Sequence, residues 1–257
     1  MKGKIFLFLS VVLSFLLVVG CSSDATTTST APDKEKIFTY AMSGAYTPFN
    51  FKKDGQLEGF DVEIGKALAE KMGMKSNPIA TPWETIIEGL KRGKYDAIIG
   101  SMAITEDRKK QVDFSKPYYR SGAQIFVKDD NQDIKKAEDL NGKRIGVVKS
   151  STFGDLARKY SKNIKEYSSD ILALQDLPTG RIDAVITDQL VGLNAIQENV
   201  LKLKDVADPL YLDEMAIPVK KGNKELLEKI NKALDEIIND GTYEKISNKW
   251  FGRNILN

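Results

Sequence analysis

A short segment of the chain recurs without gaps in its second half. Residues 90–101 read LKRGKYDAIIGS and residues 177–188 read LPTGRIDAVITD, so that Leu, Gly, a basic residue, Asp, Ala and an Ile repeat in register. Each copy has the pattern of a helix end, a glycine turn and a buried strand. The repeat predicts two related α/β units, and chance similarity of two helix–turn–strand units is the alternative. A chain of 257 residues fits one large or two small domains.

Apolar strands alternate with amphipathic helices along the chain, which is typical of an α/β fold with a parallel sheet. We expect Asp61 to be the N-cap of the first helix, which continues through Met72. The other predicted strands are 37–41, 97–99, 144–148 and 184–186, and the other predicted helices are 86–90, 153–160, 191–196, 225–238 and 243–250.

The amino terminus is typical of a secretion signal. Lys2 and Lys4 precede an apolar run over residues 5–19, which is shorter than the ~20 residues of a spanning helix. Residues 17–20 lead directly into Cys21 and resemble a bacterial lipobox, which implies cleavage before Cys21 and diacylation of its thiol. We therefore interpret residues 1–20 as a lipoprotein signal peptide and the Ser/Thr-rich residues 21–36 as a flexible tether. A plain secretory signal with an unmodified cysteine is the alternative.

Composition excludes several kinds of site. The chain has no His and a single Cys, which excludes histidine-based catalysis, His-ligated metals, internal disulfides and multi-cysteine metal sites. The 38 basic and 36 acidic residues leave a surplus too small for a nucleic-acid-binding protein. We expect no metal, no cofactor and no nucleic-acid partner.

Arg108 and Asp188 carry opposite charges and lie near the ends of the two repeated segments. Ser101 and Asp188 end the two copies, at the sheet edge where open α/β folds bind ligands. Thr105 is a good N-cap, which places Arg108 in the first turn of a short helix beside free backbone N–H groups. A guanidinium on one wall of a cleft and the carboxylate of Asp188 on the other match the two ends of a free amino acid. An exposed Arg108 and an Asp188 that caps the helix through Val191 are the alternatives.

Aromatic and hydroxyl side chains are expected at the same edge. Tyr46 lies in a turn after the first strand, and Trp83 precedes a helix, so both are candidates to cover a ligand, although core packing is the alternative. Ser151 and Thr152 belong to an N-cap cluster that also forms a nest of hydroxyl and N–H groups. Trp250 and Phe251 are interpreted as core residues.

The chain resembles the polar amino-acid-binding proteins of ABC importers, solute-binding protein family 3. The resemblance rests on GFDVEI at 59–64, on Thr105, Arg108 and the FSKPY of 114–118, on Gly146-Val147 before Ser150-Ser151-Thr152, and on residues 183–188. It implies a type II, two-lobed periplasmic-binding-protein-like fold with crossover segments near 122–127 and 216–219. Residues 37–121 and 219–257 would form lobe 1, and residues 122–218 would form lobe 2.

The resemblance also implies a role for each candidate. Arg108 would hold the ligand carboxylate with help from Ser101 and Ala103, and Asp188 would hold the α-ammonium. Ser151 and Thr152 would add hydrogen bonds, and Tyr46 and Trp83 would pack on the ligand side chain. Gly100 and Met102 are also expected to be ligand-binding residues. Residues 59–64 are expected to be structural and to lie away from the cleft.

The expected protein is a monomeric binding lipoprotein on the outer face of the bacterial cytoplasmic membrane. It would deliver an amino acid to an ABC transporter permease and its ATPase. Ser43 stands where binders of basic side chains often carry Asp, which weakens lysine, arginine or histidine as ligands unless Glu84 points inward.

Two functions of another class remain open. A secreted enzyme resembling cyclohexadienyl dehydratases would need a general acid, for which Glu84 and Glu88 are the candidates. A sensory ectodomain would need a membrane span and a signalling domain, neither of which the sequence shows up to Asn257.

Overall fold

A computed structural model describes residues 36–198 and 201–256. The predictions for the signal peptide, for Cys21 and for nearly all of the tether lie outside these residues. Within them, none of the helices combines the length and the apolar character needed to cross a bilayer.

The described residues form twelve strands and eight α-helices. The strands are β1 (Ile37–Met42), β2 (Ala45–Tyr46), β3 (Asn50–Lys53), β4 (Gln56–Glu58), β5 (Lys75–Ala80), β6 (Ala97–Ile98), β7 (Met102–Ala103), β8 (Val112–Lys128), β9 (Ile145–Val148), β10 (Ile164–Tyr167), β11 (Ala184–Asp188) and β12 (Leu203–Lys220). The α-helices are α1 (Phe60–Lys71), α2 (Ile86–Lys91), α3 (Glu106–Lys109), α4 (Thr152–Tyr160), α5 (Asp170–Asp176), α6 (Gln189–Gln197), α7 (Lys224–Asn239) and α8 (Thr242–Phe251). Short 3-10 helices cover Trp83–Thr85 and Ala137–Leu140.

The central sheet is mixed rather than parallel. Nine strands take part, in the order β10-β9-β11-β8-β12-β6-β1-β5, with β7 paired to β12. The β5-β1-β6 and β10-β9-β11 groups are parallel, as expected for helix-linked strands. The long strands β8 and β12 pair with each other in antiparallel fashion between these groups, which corrects the expectation of a parallel sheet.

Strands β8 and β12 connect the two parallel groups. Strand β8 pairs with β11 along residues 123–126, while β12 pairs with β7 and β6 through Met215, Ala216 and Val219. The predicted crossover segments, 122–127 and 216–219, therefore fall within these two strands. The lobe boundaries drawn at 121/122 and 218/219 stay predictions.

The repeated segment folds in the same way twice. Helices α2 and α5 end just before Gly93 and Gly180, whose φ values of 70° and 72° are left-handed. Strands β6 and β11 follow, and both are buried. A positive φ favours glycine because a side chain would collide with the backbone there, so each copy needs its glycine at this position. The predicted helix–glycine–strand pattern is confirmed in both halves.

The first helix begins two residues earlier than expected. Its N-cap is Gly59, with a φ of 125°, and Asp61 lies inside the first turn. A side chain at Gly59 would overlap the backbone of Phe49, which explains why the chain has no capping side chain here. Asp61 is therefore not the N-cap, and its carboxylate is directed to other partners that are described below.

Close packing of helices on strands sets the tightest constraints in the core. Gly192 of α6 lies against the ring of Phe126 on β8, and a Cβ at this position would overlap that ring. Trp250 and Phe251 are half-buried and pack against the main core cluster, in agreement with their interpretation as core residues.

We expect Gly192→Ala to destabilise the protein although alanine favours helix formation. Overpacking against Phe126 should cost about 1–3 kcal/mol of the free energy of unfolding, measured by urea denaturation. Gly154→Ala on α4 is the matched control, because the nearest atom to its added Cβ is the flexible end of Arg158. The control should be neutral or stabilising by up to about 1 kcal/mol; equal effects of the two substitutions would contradict the packing argument.

Candidate ligand-binding site

A cavity lies where several loops and two helix N-termini converge. It encloses about 570 Å³, including the space at its mouth. Helices α4 and α5 begin at this cavity with N-caps Ser151 and Ser169, so their first backbone N–H groups lie at its wall. The lining residues are Ser43, Ala45, Tyr46, Trp83, Gly100, Ser101, Ala103, Arg108, Val148, Ser151, Thr152, Phe153, Ser168, Ser169, Asp170 and Met215.

The cavity brings together most of the residues that the sequence indicated. The ones found in its lining are Tyr46, Trp83, Gly100, Ser101, Ala103, Arg108, Ser151 and Thr152. Met102 is not among them, because successive side chains of a strand point to opposite faces and Met102 packs in the core near Ile86 and Ile98. Asp188 is not in the lining either.

Arg108 is held in place by its own short helix and by an aromatic ring. The hydroxyl of Thr105 accepts a hydrogen bond from the backbone N–H of Arg108, which confirms Thr105 as the N-cap of α3. The guanidinium donates from one Nη atom to the carbonyl of Ala103 at 2.9 Å, and its centre lies 5.5 Å from the ring centroid of Trp83. Burial lowers the pKa of Arg108, but a guanidinium stays protonated in proteins. Arg108 forms no salt bridge with any carboxylate of the described residues, so its charge is available to a ligand.

Ser101 is fixed by a buried network centred on Asp61. Its backbone is left-handed with a φ of 59°, its N–H donates to the Tyr118 hydroxyl, and its Oγ donates to Asp61 Oδ2 at 2.9 Å. Tyr118 and Asn50 also donate to this carboxylate, at 2.6 Å each. Residues 59–64 are absent from the cavity lining, and Asp61 supports the lining residue Ser101 from behind. Because the single hydroxyl proton of Ser101 goes to Asp61, its Oγ faces a ligand as an acceptor.

Asp188 ends β11 and is fully buried. Its Oδ1 accepts hydrogen bonds from the Ser121 hydroxyl and from the backbone N–H of Leu190, both at 2.8 Å, so Asp188 is the N-cap of α6. Its Oδ2 is buried and has no hydrogen-bond partner among the described residues. Burial raises the pKa of Asp188 to about 7. The helix-capping alternative is therefore confirmed for one oxygen, and the other oxygen remains open to a donor.

Asp170 is the charged lining residue that sequence reasoning missed. It is the first residue of α5 and is only 6% exposed, and one of its oxygens accepts a hydrogen bond from the Thr187 hydroxyl. Burial raises the pKa of Asp170 to about 6. The available signal was the polar run Ser168-Ser169-Asp170, which starts a helix after a strand as Ser151 and Thr152 do.

The mouth of the cavity is crossed by two contacts. The indole N–H of Trp83 donates to the carbonyl of Ser150 at 3.4 Å, and Lys149 forms a 3.1 Å ion pair with Glu84. Glu84 therefore does not point inward, and Glu88 pairs with Lys91 on the exposed face of α2. Neither candidate acid of the dehydratase alternative lines the cavity.

The chemistry of the cavity suits a small ligand with charges of both signs. It offers one guanidinium, an acidic side chain, hydroxyl groups and three aromatic side chains. Over residues 36–198 and 201–256, no group of three or more His, Cys, Asp or Glu side chains is arranged to hold a metal ion.

Comparison with known proteins places this geometry in one family. The model of the bacterial extracellular solute-binding proteins, family 3, matches residues 38–253. The chain is 35% identical to the L-cystine-binding protein TcyJ of Escherichia coli over 218 residues, which are 83% of this chain and 82% of that protein. It is 37% identical to ABC transporter arginine-binding protein 1 of the same species over 234 residues, 88% and 95% of the two chains. A solved structure of an ancestral arginine-binding protein bound to arginine is 43% identical and superposes with a TM-score of 0.80, covering 85% of this chain and 99% of that one.

We expect the ligand-free protein to become less stable as the pH rises from 5 to 7.5. Burial raises the pKa of Asp61 and Asp170 to about 6 and that of Asp188 to about 7, against 3.8 in an unfolded chain. Between these limits the folded state binds more protons than the unfolded state, so the free energy of unfolding falls with pH, by about 1.4 kcal/mol for each shifted unit. The melting temperature should be at least ~5 °C higher at pH 5 than at pH 7.5.

Asp188→Asn is the control for this pH dependence, because it removes the titration of the group with the largest shift and should reduce the slope while Asp61 and Asp170 still titrate. A melting temperature that is constant or rises between pH 5 and 7.5 in the wild-type protein would show that these carboxyl groups are not buried as described.

Proposed function

Because the chain belongs to the bacterial extracellular solute-binding proteins of family 3, we propose that it captures a free amino acid between two lobes and delivers it to the permease of an ABC importer. The observation that carries this proposal is the half-buried guanidinium of Arg108, which lines the cavity without a carboxylate partner among the described residues. Relatives over most of the chain are named for binding cystine or arginine, which supports an amino acid as the ligand.

Arg108 binds the α-carboxylate in this proposal. One Nη atom is fixed by the carbonyl of Ala103, which sets the plane of the guanidinium and leaves its other N–H groups to form a forked pair with a carboxylate. The N-terminus of α4, with Ser151 and Thr152, adds backbone N–H groups and the positive end of a helix dipole. These donors all favour a negative group on this side of the cavity.

Ser101 and Asp188 bind the α-ammonium. The Oγ of Ser101 acts as an acceptor because its proton goes to Asp61, and a protonated amine can donate to it. The Oδ2 of Asp188 lacks a donor among the described residues, and a buried acceptor without a donor costs about 1–3 kcal/mol. An ammonium group that reaches Oδ2 when the ligand enters removes this cost.

Tyr46 and Trp83 cover the ligand and exclude water. Tyr46 packs on Phe49, with ring centroids 5.4 Å apart, and Trp83 stacks on Arg108. Water exclusion strengthens the interaction between the ligand charges and the side chains that bind them. Trp83 therefore supports Arg108 as well as the ligand side chain.

Ligand binding and closure are coupled. We place residues 37–121 and 219–257 in one lobe and residues 122–218 in the other, so Arg108 and Asp188 lie on opposite sides. Only the closed arrangement lets both residues reach one ligand, and a ligand stabilises the state for which it has the higher affinity. The contacts of Trp83 and Glu84 with residues 149–150 then hold the mouth shut.

The proposal extends to the cell surface. Diacylated Cys21 anchors the mature chain to the outer face of the cytoplasmic membrane. The protein acts as a monomer and leaves its amino acid chemically unchanged. ATP hydrolysis by the partner ATPase of the importer drives transport.

Removal of either charge should abolish tight binding. The ligand is first identified by a thermal-shift screen of the amino acids and cystine, since a ligand of the folded state raises the melting temperature. Arg108→Ala and Asp188→Ala should each weaken its binding by at least about hundredfold in calorimetry, because each leaves a desolvated ligand charge unpaired. Arg181→Ala, which removes an exposed guanidinium, is the control and should bind normally. Binding by either site variant within about threefold of wild type (~0.65 kcal/mol) would refute the assignment.

The ion pair at the mouth should make a small contribution to closure. Glu84 and Lys149 are 42% and 52% exposed, so we expect a double-mutant cycle of Glu84→Gln and Lys149→Met to give a coupling energy of about 0.2–1 kcal/mol in ligand affinity. The dissociation rate should rise, and the effect should fade at high salt. A coupling energy of zero at low salt would show that the pair does not stabilise the closed state.

A further inference from the structure

The contacts proposed for an amino-acid backbone leave one acidic side chain of the cavity unused. Arg108 takes the carboxylate and Asp188 takes the ammonium, while Asp170 also lines the cavity. We propose that Asp170 binds a second cationic group on the ligand, so that the protein selects amino acids with an ammonium or guanidinium side chain. This inference rests on the proposed function and names the class of amino acid.

The charges around the cavity favour a ligand with a net positive charge. Arg108 is the cationic side chain of the lining, and the Asp213 carboxylate lies close enough to interact with it. Asp170 lines the cavity, Asp188 lies behind its wall, and Asp61 lies beneath Ser101. A zwitterion brings no net charge, so it would leave the acidic excess of the closed cavity uncompensated. A second positive group on the ligand compensates it.

Asp170 is held as a ligand-binding group. The Thr187 hydroxyl occupies one of its oxygens and fixes the carboxylate plane. Asp170 is 6% exposed and lines the cavity at the start of α5. It forms no salt bridge with any Lys or Arg of the described residues. A buried carboxylate without a cation is costly, and a cationic ligand removes that cost.

This inference is compatible with Ser43, which stands where binders of basic side chains often carry Asp. Its hydroxyl donates to the amide oxygen of Asn50 at 2.9 Å, so it stabilises the turn before β2 and presents no acid to the ligand. The wall that carries Ser43 therefore has no acidic partner for a basic side chain. Asp170, the first residue of α5, supplies one. The sequence-based argument against basic ligands considered Ser43 and Glu84 but not Asp170.

The test compares ligands that have the same shape and differ in charge. L-arginine and L-citrulline differ by one side-chain nitrogen in place of oxygen, and L-lysine and L-2-aminoheptanoic acid, in which a methyl group replaces the terminal ammonium, provide a second pair. In calorimetry, wild-type protein should bind at least one cationic member at least tenfold more tightly than its neutral partner. Asp170→Asn should reduce that preference to threefold or less, while the neutral partner keeps its affinity. Asp130→Asn, an exposed charge change after β8, should leave the preference intact.

The outcomes separate this inference from the proposed function. Equal or tighter binding of both neutral partners overturns the inference alone, as does an Asp170→Asn variant that weakens both members of a pair equally, because Asp170 would then hold the α-ammonium. Absence of binding by every amino acid and cystine overturns the proposed function and the inference together. If Asp170→Asn melts before 25 °C, Thr187→Val replaces it and should lower the preference at least threefold, since it frees the carboxylate from its fixed orientation; an unchanged preference overturns the inference.

Discussion

Charges that lack protein partners control this cavity. The guanidinium of Arg108 is half-buried without a salt bridge to the described residues, and the buried carboxyl group of Asp170 lines the same cavity. Removing such charges from water costs several kcal/mol each unless a partner of opposite sign is present. A charged ligand that supplies these partners binds tightly for this reason. In the proposed function, closure around the ligand follows, because Arg108 and Asp188 are placed in different lobes.

Positioning of these groups depends on hydrogen bonds to other residues of the protein. Asp61 takes the hydroxyl proton of Ser101 while Tyr118 accepts its backbone N–H, and together they hold a left-handed serine that is otherwise rare. The hydroxyl of Thr187 fixes the orientation of the Asp170 carboxylate, and the carbonyl of Ala103 fixes that of the Arg108 guanidinium. Each contact removes a rotational freedom before binding, so less entropy is lost when the ligand arrives.

Local signals made part of this structure predictable. The repeated glycine turns, the N-cap Thr105 and the helices of both halves depend on neighbours in sequence, and the structure has them as expected. Asp61 was wrongly assigned as an N-cap and Asp170 was missed. The role of each depends on a partner far along the chain, Ser101 for Asp61 and Thr187 for Asp170. The antiparallel pairing of β8 and β12 was missed for the same reason, since it joins residues about one lobe apart. Apolar alternation predicts a buried strand but not the direction of its neighbour.

A crystal structure of the protein with its bound amino acid tests the central claim most directly. The account predicts the α-carboxylate of the ligand in a forked contact with Arg108 and its α-ammonium within hydrogen-bond distance of Ser101 Oγ and Asp188 Oδ2. A ligand whose carboxylate lies away from Arg108, or a bound molecule elsewhere on the protein with this cavity filled only by water, would contradict it.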